Sequence, residues 1–332
     1  MKNIAIIGGG LSGLCAAHTL QNTCHVMLFE ARDRLGGRIH TVQGLDLGPS
    51  WIWPHQHRII DLIDSLDLEI FRQYGKGDAL YETSQTVERF TAPTMLPSAR
   101  IKGGIVNLVD RLAARLTTTN IHLNETVSCV RQHNNCIELI TSKREYVFDE
   151  VVVTLPPRLA LQDLTFEPPL PTELQTQFVN IPTWMGNSIK CVIEFESPFW
   201  REMGLSGFCF SHAGPIGEMH DACTQDRYAL FGFVRSNVNM ENIEHLVRSQ
   251  LKNLFVNQTT NIIGFHYVDW RAEQFTSVEA DQLHFDSHPQ YGIEAAHFEG
   301  KLHFIGTETS FDDGGYLEGA IASVERLKGI GG

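Results

Sequence analysis

Apolar residues along the chain fall into runs of two kinds. Ile4, Ala5, Ile6 and Ile7 follow one another without polar alternation, the pattern of a parallel strand buried on both faces. Val26 to Phe29 and Val151 to Val153 repeat it. Elsewhere apolar positions recur with helical period, at Ile59, Ile60, Leu62, Ile63 and Leu66, and again at Ile243, Leu246, Val247, Leu251, Leu254 and Phe255. Further helices are expected to open near Leu11, after Gly103-Gly104, and at about Tyr316, the last running to Leu327. Strands are expected around Val127 and Val130, around Tyr146 to Phe148, at 189–195, at 228–234 and at 301–305. His133-Asn134-Asn135-Cys136 reads as a hairpin turn, 73–98 as polar and irregular, and the proline-rich stretch 166–171 as a linker.

Three glycines change this picture. Gly8, Gly10 and Gly13 follow the first strand at G-x-G-x-x-G spacing, so the turn is tight, the backbone can approach a pyrophosphate and the next helix can pack on the strand. First-turn amides around Leu11 and Ser12 would face the phosphates with the positive end of the helix dipole. The second strand ends at Glu30, about 20 residues on, where a carboxylate accepts from ribose hydroxyls and excludes a 2′-phosphate. Together these predict dinucleotide binding within an α/β fold. A Rossmann-like domain with a parallel sheet and helices is assembled from 1–72, 101–160 and 269–332. An α+β substrate domain with a mixed or antiparallel sheet spans 161–268, and 73–100 is a short insertion on the substrate side.

Composition sets limits. A chain of 332 residues, 42% hydrophobic and 20% charged, is long enough for two domains. Its net charge of −13 offers no basic face for nucleic acid. Seven cysteines, an odd number without a C-x-x-C pair, suggest neither a disulfide framework nor zinc, and the histidines form no metal-type pairs. No run reaches the roughly 18 apolar residues of a membrane helix. With the first strand starting at Asn3, no leader precedes it, so a cytoplasmic protein is expected.

After Glu30 come Ala31-Arg32-Asp33-Arg34-Leu35-Gly36-Gly37-Arg38, which resembles the E-A-x-x-x-x-G-G-R extension of flavin amine oxidases. Three more blocks match in order: Gly186 to Cys191 with Ser197-Pro198-Phe199-Trp200; Trp270 to Phe275; and Gly306 to Thr309 through Gly314 to Ala320. Over nearly its full length the chain is similar to the flavin-containing amine oxidases of the monoamine/polyamine oxidase superfamily. The resemblance implies FAD, held by Glu30, Ala31, Arg32, Gly36, Gly37 and Arg38, with Arg38 offsetting diphosphate charge. Val127 offers backbone groups to adenine, and Ser50 with the backbone near Gly48 passes by the flavin. Thr307, Glu308, Gly315, Tyr316 and Leu317 close the site, the last helix aiming its dipole at the flavin pyrimidine.

For the chemistry, the resemblance makes Lys190 the residue that holds a water at flavin N5 and assists reoxidation by O2. An ammonium in so apolar a segment needs a partner. Trp270 is implied beside the flavin ring, and Tyr316 as one of two aromatic residues flanking an amine. Three departures stand out. Alignment from Trp270 puts Ala280 where the second aromatic belongs and Glu279 where covalent relatives have cysteine, implying noncovalent FAD. Pro49 replaces a common glycine. Only 73–98 stands where relatives carry a long helical roof, which predicts an open cavity or a partner subunit, such as a second copy, as cover. The expected function is oxidation of a C–N bond of a small-molecule amine with O2 as acceptor. A renalase-like or desaturase-like oxidase acting on a reduced nicotinamide or other non-amine substrate, and a non-catalytic FAD-binding protein, are the alternatives.

Overall fold

The computed structural model describes residues 1–255, 262–282, 287–293 and 296–330. The remaining positions, which include the expected end of the last segment at 331–332, lie outside the described residues. Strand β1 (Asn3–Ile7), helix α1 (Leu11–Leu20) and strand β2 (His25–Phe29) form where the apolar runs predict them. Ile6 pairs in parallel with Leu28 on one side and Val152 on the other. They belong to a six-stranded sheet, in the order Ala296–His297, Leu302–Phe304, Glu150–Val153, β1, β2, Asn120–His122. All neighbours are parallel except the outermost pair, Ala296–His297 against Leu302–Phe304.

The unbroken apolar runs are explained by what covers them. On one face Ile4 and Ile6 pack with Leu14 of α1, Ile59 and Ile63 of the helix His57–Ser65, and Leu108 and Leu112 of Val106–Ala114. On the other, Ala5 and Ile7 meet Val130, Leu139 and Phe148 from a four-stranded sheet. Burying each large side chain of this kind contributes about 1.5–3 kcal/mol, so no polar residue stands between Ile4 and Ile7, the buried part of β1.

A second large sheet has seven strands, in the order Ile262–Asp269, Ile189–Phe195, Tyr228–Val234, Ile216–Asp221, Leu205–Ser211, Asp78–Glu82, Val87–Phe90. It is antiparallel except for the parallel contact between Leu205–Ser211 and Asp78–Glu82. Helix Ile243–Leu254 packs Val247 and Leu251 against Ile189, Cys191 and Ile193. The alternate residues Lys190 and Val192 therefore face the other way, toward the nucleotide-binding domain.

Three local expectations change. The stretch 73–98 is irregular at both ends but not in its middle: Asp78–Glu82 and Val87–Phe90 form a hairpin that extends the seven-stranded sheet, because backbone pairing to Leu205–Ser211 overrides its polar composition. The linker opens with a strand, Thr165–Glu167, paired in parallel to Val127–His133. The last helix is α-helical only over Leu317–Ala322 and tightens to a 3-10 turn over Ser323–Leu327.

Candidate active site

Where the carboxyl ends of β1 and β2 meet the inner face of the seven-stranded sheet, the two domains enclose a cavity of about 500 Å3. Its first part is built by the glycine turn. Gly8 has φ +108°, and a Cβ at Gly13 would stand 1.9 Å from Gly8 O, so Gly13 serves helix–strand packing and does not reach the cavity wall. A Cβ at Gly10 would meet nothing within 4 Å, which leaves open space before α1. No side chain caps that helix, and Gly10, Leu11 and Ser12 line the cavity. Glu30, almost fully buried, accepts from the Gly9 and Arg32 amides, both at 2.8 Å, which fixes its carboxylate at the cavity edge. An uncapped helix start behind open space, with a pinned carboxylate beside it, fits a diphosphate and a ribose. Ala31, Gly36, Gly37 and Val127 complete this end, with Glu125 and Asp163.

The arginines are spoken for. Arg32 is held by Glu273 at 2.9 Å and Thr276 at 2.8 Å. Arg34 donates to the carbonyls of Leu35, Gly37 and Ile39. Arg38 makes a two-pronged pair with the buried Glu308, at 2.6 and 2.9 Å, and also donates to Trp184 O. Arg38 and Arg32 line the cavity but their charges are met within the protein, whereas Glu308 lies behind the wall. An anion entering this end would therefore meet the backbone amides at the start of α1 before any free arginine charge.

At the other end stands Lys190, 4% exposed. Its Nζ donates to Gly48 O at 2.8 Å and Ser50 Oγ at 2.6 Å, and lies 4.1 Å from the centre of the Phe231 ring. The expected partner exists but is neutral. Burial pulls the Lys190 pKa down to about 7; Asp46 opposes that fall and Arg100 adds to it. Trp270 is anchored by its Nε1 donating to Leu47 O at 3.1 Å, which turns the indole along the cavity wall. Trp51, Trp53, Phe231, Phe233 and Tyr316 surround this end, Trp53 meeting Tyr316 edge-on at 5.5 Å. Gly315, at φ +89°, lets the chain turn into the helix that begins at Leu317. Thr307 donates its hydroxyl to Tyr316 O at 2.6 Å and holds that turn.

Neither Ala280 nor Glu279 reaches the cavity. Both lie in a 3-10 turn, Glu279–Gln282, whose buried Asp281 binds Arg158 and the Thr183 amide. No residue of 73–98 lines the cavity either. Sequence reasoning missed Trp184 and Met185, Phe231 and Phe233, and Leu155, Pro156 and Leu159. Leu155 and Pro156 follow a parallel strand directly, a position from which they could have been foreseen. Trp184 had no such signal. Among the described residues no helix is long and apolar enough to cross a membrane.

Comparison with known proteins agrees with this geometry. The model of the family described as flavin containing amine oxidoreductase matches residues 11–99 and 78–326. The chain is 24% identical over 444 residues to amine oxidase [flavin-containing] B of Sus scrofa, covering 98% of this chain and 85% of that one. It is 24% identical over 446 residues to amine oxidase [flavin-containing] A of the same organism, covering 98% and 84%. Both alignments run well beyond 332 positions, so long stretches of these relatives have no counterpart here. The fold matches a putrescine oxidase bound to putrescine, with TM-score 0.83, 20% identity and 98% of each chain covered. It also matches cyclohexylamine oxidase from Brevibacterium oxydans, with TM-score 0.82, 20% identity, and 98% and 97% covered. A nucleotide cradle, a buried lysine and a family match running through both domains lead to one conclusion: the chain belongs to the flavin-containing amine oxidoreductase family and is an FAD-dependent oxidoreductase.

Proposed function

We propose that the protein oxidises the C–N bond of an amine. Held noncovalently, FAD would supply the two-electron acceptor for the net conversion of amine and O2 to imine and hydrogen peroxide. The chain's residues bind and orient. The amides of Leu11 and Ser12 and the Glu30 carboxylate hold the nucleotide. Trp270 and the Gly315 turn would border the flavin ring, and the start of the helix at Leu317 would offer it positive potential, which suits a group that gains negative charge on reduction.

Lys190 is the observation that carries the reading. Two of its donors are taken by Gly48 O and Ser50 Oγ, and the residue lines the cavity. With a pKa near 7, the amine holds or releases a proton at Nζ within the working range, the requirement for assisting oxygen reduction. A half-neutral lysine also repels a substrate ammonium less than a fixed charge would. Neither a nicotinamide substrate nor a non-catalytic role is favoured by the family or the relatives.

Anaerobic mixing with an amine panel and with NADH, followed in the flavin absorption band and then exposed to O2, tests this directly. At least one amine should bleach the flavin. Lys190→Met should slow reoxidation more than reduction. Bleaching by NADH and by no amine would overturn the proposal.

A further inference from the structure

Tyr316 lacks the aromatic partner that alignment places at Ala280, yet it does not stand alone. Trp184, from the turn that precedes Ile189–Phe195, puts its ring centre 5.7 Å from that of Tyr316 and lines the same cavity. Its ring lies directly on the Gly315 backbone: a Cβ there would be 2.7 Å from it. Exposed His288 packs against both rings, 4.4 Å from Trp184 and 5.1 Å from Tyr316.

The turn that carries Trp184 is clamped on every side. The Thr183 amide donates to Asp281 Oδ1 at 2.9 Å, and the Trp184 amide donates to Glu308 Oε1 at 3.1 Å. Trp184 O accepts from Arg38 at 3.1 Å, and Gly186 O accepts from Ser277 Oγ at 2.8 Å. Between them Met185 sits at φ +58°, a conformation that a long side chain adopts only when its surroundings impose it. Asp281, Glu308 and Ser277 are all buried. Such a set of fixed partners holds one indole in one place.

Charge completes the picture. The acids that line the cavity are Glu30, Glu125 and Asp163, all at the adenosine end. Among the described residues that line the cavity around Trp184 and Tyr316 the walls are aromatic and none is a carboxylate; Asp313, which acts electrostatically on Tyr316, lies outside the lining. We propose that Trp184 is the specificity-determining wall of the substrate end, and that with Trp53 and Tyr316 it selects an amine carried on a compact apolar ring over an extended diamine. One ammonium is accommodated on the ring faces, the apolar body fills the space between them, and a distal charge meets no carboxylate among the described lining residues.

This rests on the amine-oxidase reading, so the test includes a ligand that cannot be oxidised. 1-Methylcyclohexylamine has no hydrogen on the carbon that bears nitrogen. Its binding to the FAD-loaded protein is read by perturbation of the flavin spectrum, beside steady-state oxidation of cyclohexylamine and putrescine. In wild-type protein cyclohexylamine should be preferred. Trp184→Ala should weaken 1-methylcyclohexylamine binding by about tenfold to a hundredfold, raise KM for cyclohexylamine similarly and leave putrescine nearly unchanged. Trp184→Phe, which keeps a ring on Gly315, should retain most of the affinity and guards against misfolding. Unchanged affinity in both variants, or a wild-type preference for putrescine, overturns the proposal. Trp184-dependent binding with no amine oxidised would leave this wall standing and remove the amine-oxidase reading.

Discussion

Replacing Lys190 by methionine should make the protein more stable at pH 6, not less. In the fold the Lys190 pKa is drawn from 10.5 to about 7 by burial, so below pH 7 the chain carries a charged amine with neutral partners in its interior. That displacement corresponds to roughly 5 kcal/mol, at 1.36 kcal/mol per pH unit. The sign follows from proton counting: between pH 7 and 10.5 the unfolded chain holds a proton that the folded chain lacks, so stability rises with pH across this window. Methionine has similar length and no charge, but leaves Gly48 O and Ser50 Oγ without their donor, a loss of about 1–3 kcal/mol. The net expectation at pH 6 is a gain of about 2–4 kcal/mol, shrinking by about 1.4 kcal/mol per unit above pH 7 and vanishing near pH 9. Urea unfolding of FAD-loaded wild type and variant at matched pH reads the difference, and the comparison cancels what cofactor contributes to both. Parallel stability curves from pH 6 to 9 would refute the idea that Lys190 is buried at the cost of its charge.

Two further expectations concern the cradle and its supports. Acid or heat should release FAD from the purified protein, and Glu30→Ala should weaken FAD binding by about tenfold or more, as a charged acceptor worth about 1.5–3 kcal/mol is lost; flavin remaining on denatured protein, or unchanged affinity, would contradict this. Glu308→Gln removes the counter-charge of the half-buried Arg38 and should destabilise by about 1–3 kcal/mol, measured as a fall in Tm; a shift of less than one degree would mean that the pair is not needed.

The nucleotide-binding half was legible in the sequence because its constraints are local. An apolar run, three glycines and an acid at fixed spacing each impose a backbone requirement that nothing distant can replace, and β1, α1 and β2 form accordingly. Lys190 was legible for a related reason: an amine between Ile189 and Cys191, residues that the helix Ile243–Leu254 covers, must point to the other face. The rest depends on long-range pairing. Nothing in 73–98 announces that Asp78–Glu82 will join Leu205–Ser211. Trp184 stands in an unpatterned turn, and its position is set by Glu308, Arg38 and Asp281, which are distant in the chain. Spacing from Trp270 showed that no aromatic stands at Ala280, but not that the turn Glu279–Gln282 lies away from the cavity with its buried acid on Arg158.

The order of strands in the six-stranded sheet governs when the protein can acquire its cofactor during synthesis. β1 emerges first, but its neighbour Glu150–Val153 lies far along the chain, and the strand beyond that, Leu302–Phe304, comes near the end. Helix α1 waits as well, since Ser12 Oγ donates to Ala320 O and the helix Leu317–Ala322 packs beside it. Contacts this distant carry a loop-closure penalty before they stabilise anything, which slows folding. The seven-stranded sheet, whose strands all precede Leu302–Phe304, therefore has every strand synthesised before the six-stranded sheet does. A nascent chain stopped short of Gly315 would hold every strand of the substrate face with nowhere to seat FAD.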